Sequence, residues 1–314
     1  MRELQETARD AGHERPLLVC VDQEGGRVAR MREPWTLWPA ARAVGRTGSE
    51  ETAYAVGQAL AAELRPCGVS VDFAPCVDVD TNPRNPVIGD RSFGDDPDLV
   101  GRLGAALVRG LQDGGLVACA KHFPGHGDTS VDSHLDLPVV DHSMSRLEDV
   151  ELRPFRRAIE AGVAMVMSCH VLVRELDDAR PGTLSPAVVD GLLRKKLGFD
   201  GVVPTDDLDM KGVAKLWRPA QIAVMSAQAG CDLLCFCRDH DAQVEGIEGL
   251  IRATESGEVP FKAAEAAEAR IRGLKERFLA GYRDPDPKEA RAAAGRPDHR
   301  ALAERVAERS GLTA

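Results

Sequence analysis

The sequence predicts an α/β protein of the (β/α)8 TIM-like barrel type, and three observations lead there. Short apolar runs rich in β-formers recur at 17–21, 69–73, 117–120, 164–167, 201–204 and 233–236. Amphipathic stretches separate them, at 51–64, 98–111, 147–160 and 186–197 among others. Continuous apolar strands alternating with helices describe a parallel sheet covered by helices on its faces. The third observation concerns the residues just after each run. Polar and ionisable residues gather at the C-terminal end of one strand after another, which is how such a barrel assembles an active site. A doubly wound sheet is the competing architecture, but no Gly-x-Gly-x-x-Gly turn opens a helix here.

Composition sets the outer limits. The chain has 314 residues, 43% hydrophobic and 29% charged, enough to bury a core without disulfide or metal staples. Aromatics at 4% argue against an all-β sandwich and against stacking on single-stranded nucleic acid. Forty Lys+Arg against fifty Asp+Glu give a net charge of −10, so the chain lacks the electrostatic footprint of a nucleic-acid or anionic-membrane binder. No apolar run is long enough to span a bilayer, and the N-terminal residues are charged and helical in character rather than a signal peptide. Most of the eight cysteines lie within or beside apolar runs, where reduced thiols act as small hydrophobes. These features place the protein in the cytoplasm. The organisation expected is one barrel over 1–282 and an Ala/Arg/Glu-rich helical tail over 283–314, which begins at the break Asp284-Pro-Asp-Pro.

Taken in chain order, the strand ends carry the chemistry. After the first comes Asp22-Gln-Glu-Gly-Gly-Arg-Val-Ala-Arg30, whose paired glycines allow a sharp turn. An acidic residue with two arginines there makes a fork for hydroxyls or an anion. The second strand runs into Ala74-Pro-Cys-Val-Asp. The third runs into Lys121-His-Phe-Pro-Gly-His-Gly and then Asp132-Ser-His134. Asp132 and His134 project to one side of an extended backbone, and an Asp can favour the imidazolium of such a His as a general acid/base. Ser168-Cys-His follows the fourth strand, Thr205-Asp-Asp-Leu-Asp-Met the fifth and Arg238-Asp the sixth. Asp206 is the first residue beyond its strand and is assigned to the barrel mouth, with Asp207 or Asp209 left to capping or support.

Four blocks in this order, Asp22-Gln-Glu-Gly-Gly-Arg-Val, Gly89-Asp-Arg-Ser-Phe-Gly, Lys121-His-Phe-Pro-Gly-His-Gly with Asp132-Ser-His134, and Thr205-Asp-Asp-Leu-Asp-Met, resemble the glycoside hydrolase family 3 β-N-acetylhexosaminidases of the NagZ type. The likeness runs from about residue 4 to residue 238. It implies a retaining β-N-acetylhexosaminidase with Asp206 as nucleophile and His134, paired with Asp132, as acid and then base. It further implies that Asp22, Arg30, Arg91, Lys121 and His122 hold the sugar, while Glu24, Arg27, His126, Asp128 and His170 shape the loops. No cofactor or metal is implied. The implied substrates are small amino-sugar glycosides with a terminal β-linked N-acetylglucosamine, such as peptidoglycan-derived muropeptides. Members of this family carry a strand and helix upstream of the segment matching residue 4, so the barrel is expected to be lacking or incomplete at its N-terminal strand.

Three other readings compete. A phosphorylase would exploit a His acid/base that does not repel phosphate. A zinc hydrolase would place His122, His126, His134, His170 and Asp206 around a metal. A degenerate, non-catalytic carbohydrate-binding barrel would keep the fold alone.

Overall fold

A computed structural model describes residues 1–133 and 135–311. The strands, in chain order, are β1 (Cys20–Val21), β2 (Gln23–Gly25), β3 (Val28–Ala29), β4 (Val71–Asp72), β5 (Val117–Phe123), β6 (Val139–Val140), β7 (Met165–Ser168) and β8 (Leu172–Val173). The main sheet runs β1-β4-β5-β7, all parallel. It continues through single parallel bridges, Met165 to Val202, Ser168 to Thr205 and Pro204 to Leu233. All six apolar runs therefore lie side by side in the order their sequence positions predict. The last two pair only at isolated points, and Pro204, having no N–H, interrupts the ladder there.

The sheet is an open arc. Among the described residues no pairing joins the segment at Leu233 back to β1, so backbone hydrogen bonds do not close the sheet into the (β/α)8 barrel, which was expected to be incomplete at its N-terminal strand. Among the described residues β1 pairs with β4 alone, and Cys20 is exposed at the other edge.

β5 occupies the middle of the arc, and every one of its residues is buried. Helix Pro97–Asp113 covers it from outside and packs in turn against helix Glu50–Leu64. Each starts with a side-chain cap: Ser49 accepts from the Thr52 N–H, and Asp96 from the Asp98 N–H with Pro97 in the first turn. Gly110 lets the two helices approach closely, since a Cβ there would stand 2.2 Å from the Tyr54 carbonyl oxygen. β2 and β3 form a small antiparallel hairpin turning through Gly25 and Gly26, whose φ of 96° and 56° suit glycine. The helix Pro297–Ser310 packs on the same side of the molecule as Ala41–Thr47. There His299 Nδ1 meets Glu63 Oε1 at 2.9 Å, and Arg46 donates to the Ser310 carbonyl at 2.8 Å. Among the described residues, no helix is long and apolar enough to cross a membrane.

Candidate active site

The C-terminal ends of the parallel strands surround a cavity of about 380 Å³. Asp22, Arg30, Arg91, Lys121, His122 and Asp206 all line it, although they come from separate stretches of chain. Lys121 and His122 both reach it because the register of β5 against β7 is irregular between Ala120 and Phe123. A regular strand would turn consecutive side chains to opposite faces.

A buried charge network forms one wall. Lys121 Nζ lies 2.7 Å from both Asp22 Oδ1 and Glu24 Oε1. Glu24 also takes a two-pronged contact from Arg91, with Nε at 2.9 Å and Nη2 at 2.8 Å. The side chains of Lys121, Glu24 and Arg91 are only 2%, 4% and 11% exposed. Burial opposes charge on all three, but mutual attraction overcomes it. The Glu24 carboxyl falls well below the usual range, and Lys121 and Arg91 rise above theirs. The simple Arg–carboxylate fork expected at 22–30 is thus a three-way knot, in which Glu24 holds both cations without lining the cavity.

His122 is set by the groups facing its two nitrogens. Nδ1 lies 2.6 Å from Asp78 Oδ2, and Nε2 lies 3.1 Å from Arg91 Nη2. A guanidinium has only donors, so Nε2 accepts and the ring proton is on Nδ1, donated to Asp78. Asp78 is almost fully buried and also accepts from the His122 and His126 N–H groups, at 3.2 and 2.6 Å. Burial raises its pKa, but His122 and His126 bring it down to about 2.

Asp206 begins the loop after the fifth strand segment. Its N–H donates to the Ser168 carbonyl at 3.1 Å, and its Oδ1 accepts from the Asp207 N–H at 2.8 Å. Burial works against its ionisation, but His122, His170, the Asp207 N–H and Lys121 prevail and hold its pKa below the usual value. His170 is buried behind it, with Nδ1 at 3.0 Å from Thr183 Oγ1 and Nε2 donating to the Asp207 carbonyl at 3.0 Å. An ionised carboxylate held against a cavity wall is suited to attack or to stabilise positive charge.

His134 lies outside the described residues. Asp132 is not among the residues lining the cavity, and its carbonyl accepts from the Leu135 and Asp136 N–H groups at 2.9 and 3.0 Å. Between them, Ser133 is buried and lines the cavity, with Oγ 3.1 Å from His126 Nε2. The Ser133 carbonyl accepts from the Gly212 N–H at 3.0 Å, which ties this loop to the helix that follows Asp206.

Among the described residues, one cluster has metal-ligand composition and spacing: Cys76, Asp78 and His122. Its atoms already bond one another, with Cys76 Sγ donating to Asp78 Oδ2 at 3.3 Å, and burial pushes the thiol well up. A protonated thiol and a shared oxygen make this a hydrogen-bonded support rather than a set of free ligands. The zinc reading groups His126 and His170 with His122; each instead has hydroxyl or carbonyl partners of its own.

The family 3 N-terminal-domain model, "Glycosyl hydrolase family 3 N terminal domain", matches residues 1–274. The chain belongs to glycoside hydrolase family 3. Beta-hexosaminidase A of Pseudoalteromonas piscicida is 36% identical to this family 3 chain over 325 residues, 95% of the chain and 53% of the relative. The structure of a family 3 β-N-acetylglucosaminidase from Paenibacillus superposes with a TM-score of 0.95 at 40% identity, covering 98% of this chain and 59% of that one. The β-glucoside phosphorylase BglX superposes with a TM-score of 0.90 at 28% identity, covering 98% and 57%. This family 3 chain therefore spans little more than half the length of these relatives.

Sequence reasoning kept Glu24 and His126 for loop shaping and Asp207 for capping or support, and gave no role to Asp78, Ser133 or Arg238. Asp78 closes the Ala74-Pro-Cys-Val-Asp run, so its position after a strand was the available signal. Its partner His122 is 44 residues away in sequence, and only the fold reveals that pairing.

His126 should make stability depend on pH. Burial, with His122 adding to it, depresses its pKa to about 4 from an ordinary 6.5. The unfolded chain then binds the extra proton first, so stability is complete above about pH 6.5 and declines as pH falls toward 4. Urea unfolding at pH 7, 5.5 and 4.5 should show this decline, and His126→Gln should flatten it. An equal slope in both proteins would remove His126 as its source.

Proposed function

We propose that this chain is the catalytic part of a retaining β-N-acetylhexosaminidase, releasing terminal β-linked N-acetylglucosamine from small amino-sugar glycosides. The observation that carries this reading is the ionised Asp206 at one wall of a sugar-sized cavity, facing the Lys121–Asp22–Glu24–Arg91 knot and His122. Relatives named for the same activity support it. The open parallel arc is read as the larger part of a (β/α) barrel, with the helical tail 283–314 as an accessory to the unit 1–282.

In this mechanism Asp22, Arg30, Lys121, Arg91 and His122 bind the sugar and orient its anomeric carbon toward Asp206. An Asp206 oxygen attacks that carbon as the glycosidic C–O bond breaks, and His134, assisted by Asp132, gives its proton to the departing oxygen. Water then attacks the same carbon, the ester to Asp206 breaks, and the water's proton returns to His134. Peptidoglycan-derived muropeptides are the substrates this reading favours. The eight cysteines, none of them in a disulfide, suit a reducing cytoplasm.

The test is hydrolysis of 4-nitrophenyl β-N-acetylglucosaminide, with the product anomer followed by NMR. Release of the β-anomer of N-acetylglucosamine is expected, and no release would overturn the reading. The likeness to a phosphorylase gives a second reading, which predicts sugar 1-phosphate when phosphate is added. His134→Ala should lose about 100-fold or more in kcat with alkyl leaving groups, and far less with activated phenols. Equal losses on both would exclude the acid role.

A further inference from the structure

Asp207 and Asp209 explain why three carboxylates crowd one loop. Asp207 Oδ1 accepts from the N–H groups of Asp209 and Cys237, at 3.0 and 3.2 Å. Asp209 Oδ2 accepts from those of Arg238 and Asp239, at 2.7 and 3.2 Å. The Leu208 N–H donates to the Cys235 carbonyl at 2.7 Å. The loop bearing Asp206 thus clamps the backbone of 235–239, and the charged residue it fixes at the cavity wall, beside Cys235 and Cys237, is Arg238.

The cations around the cavity differ sharply in how they are used. Lys121 and Arg91 are buried and already held by carboxylates, Arg91 also by His122 and the Val87 carbonyl. Arg30 is exposed like Arg238 and reaches Asp22 only at 3.7 Å, but no comparable clamp of carboxylate-to-N–H bonds fixes its backbone among the described residues. Among the described residues Arg238 meets one carboxylate, that of Asp207, 3.5 Å from its Nε, and its side chain is 68% exposed. Among the described residues its two terminal nitrogens have no hydrogen-bond partner. They form the planar fork that recognises a carboxylate in two-point fashion.

Depth decides which part of a glycoside would meet it. The floor of the cavity, at Lys121 and His122, is where a sugar bound against Asp206 would lie. Whatever is attached through the glycosidic oxygen must leave by the exposed rim, where Arg238 stands. We propose that Arg238 is a specificity residue of the leaving-group side, selecting glycosides whose leaving group bears a carboxylate. This rests on the reading of Asp206 as the reaction centre.

The test separates the two. Non-hydrolysable thioglycosides of N-acetylglucosamine carrying 4-carboxyphenyl or 4-carboxamidophenyl groups report binding without chemistry. With the wild-type chain the carboxylate should bind more tightly than the carboxamide. Arg238→Gln should reduce that preference by about five- to tenfold, in keeping with a partly exposed ion pair. Raising the salt from 0.05 to about 0.5 M should erode the preference in the wild type and not in the variant. An unchanged preference in Arg238→Gln overturns the proposal, as does failure of both thioglycosides to bind the wild type. A preference that depends on Arg238 supports it even if 4-nitrophenyl N-acetylglucosaminide is not cleaved, which would instead overturn the proposed reaction. Phosphate that competes with the carboxylate probe, stimulates turnover and yields sugar 1-phosphate through Arg238 would overturn the leaving-group assignment in favour of an acceptor site.

Discussion

Asp206→Ala is expected to reduce turnover of 4-nitrophenyl β-N-acetylglucosaminide by about four orders of magnitude. Geometry and electrostatics both lead to this expectation. Asp206 is the carboxylate that the Asp207 N–H, His122, His170 and Lys121 combine to keep ionised at the cavity wall. The neighbouring Asp207 is committed to backbone N–H groups and Arg238, so it cannot take over the role. The substitution should lower the melting temperature only slightly, because the neighbours that keep Asp206 ionised outweigh burial and their attraction is lost with the carboxylate. Near-wild-type turnover by Asp206→Ala would overturn the nucleophile assignment. A large fall in melting temperature would show that Asp206 has a structural role instead.

Glu24→Gln is expected to have the largest effect on stability. One carboxylate neutralises two buried cations, with Arg91 bonded to both oxygens and Lys121 at 2.7 Å from one. An amide keeps the shape but loses the charge, and its NH2 group would face a cation. Breaking a buried ion pair on one side costs about 3–5 kcal/mol. For a chain of this size that corresponds to a fall of about 5–8 °C in melting temperature. Asp22 remains to hold Lys121, so Arg91 and with it His122 Nε2 should be displaced most. Activity should fall along with stability. Circular dichroism melting of both proteins is the measurement, and an unshifted transition would mean that Glu24 is not the hub.

Much of this arrangement could be read from the order of residues alone. The six apolar runs specify a parallel α/β sheet because continuous apolar strands must be covered on both faces. Polar residues after each run mark its C-terminal edge as the site, and Asp22, Arg30, Arg91, Lys121, His122 and Asp206 do meet there. What pattern could not supply was the division of labour among like residues. Glu24 differs from Asp22 by its deeper burial, and Asp207 from Asp206 by which N–H groups it faces. Asp78 and His122 are partners across two strands, a relation with no local periodicity to reveal it.

Residue order was enough to set the strand order, the edge that bears the site and the residue types available to it, because these derive from hydrophobic period and chain connectivity. Two further outcomes needed the folded chain: a glutamate binding two buried cations, and an arginine held at the rim of the cavity by a carboxylate clamp. Those outcomes depend on burial and on distances between residues far apart in the chain. Electrostatic energy in a low-dielectric interior is set by such distances, and a linear sequence does not contain them.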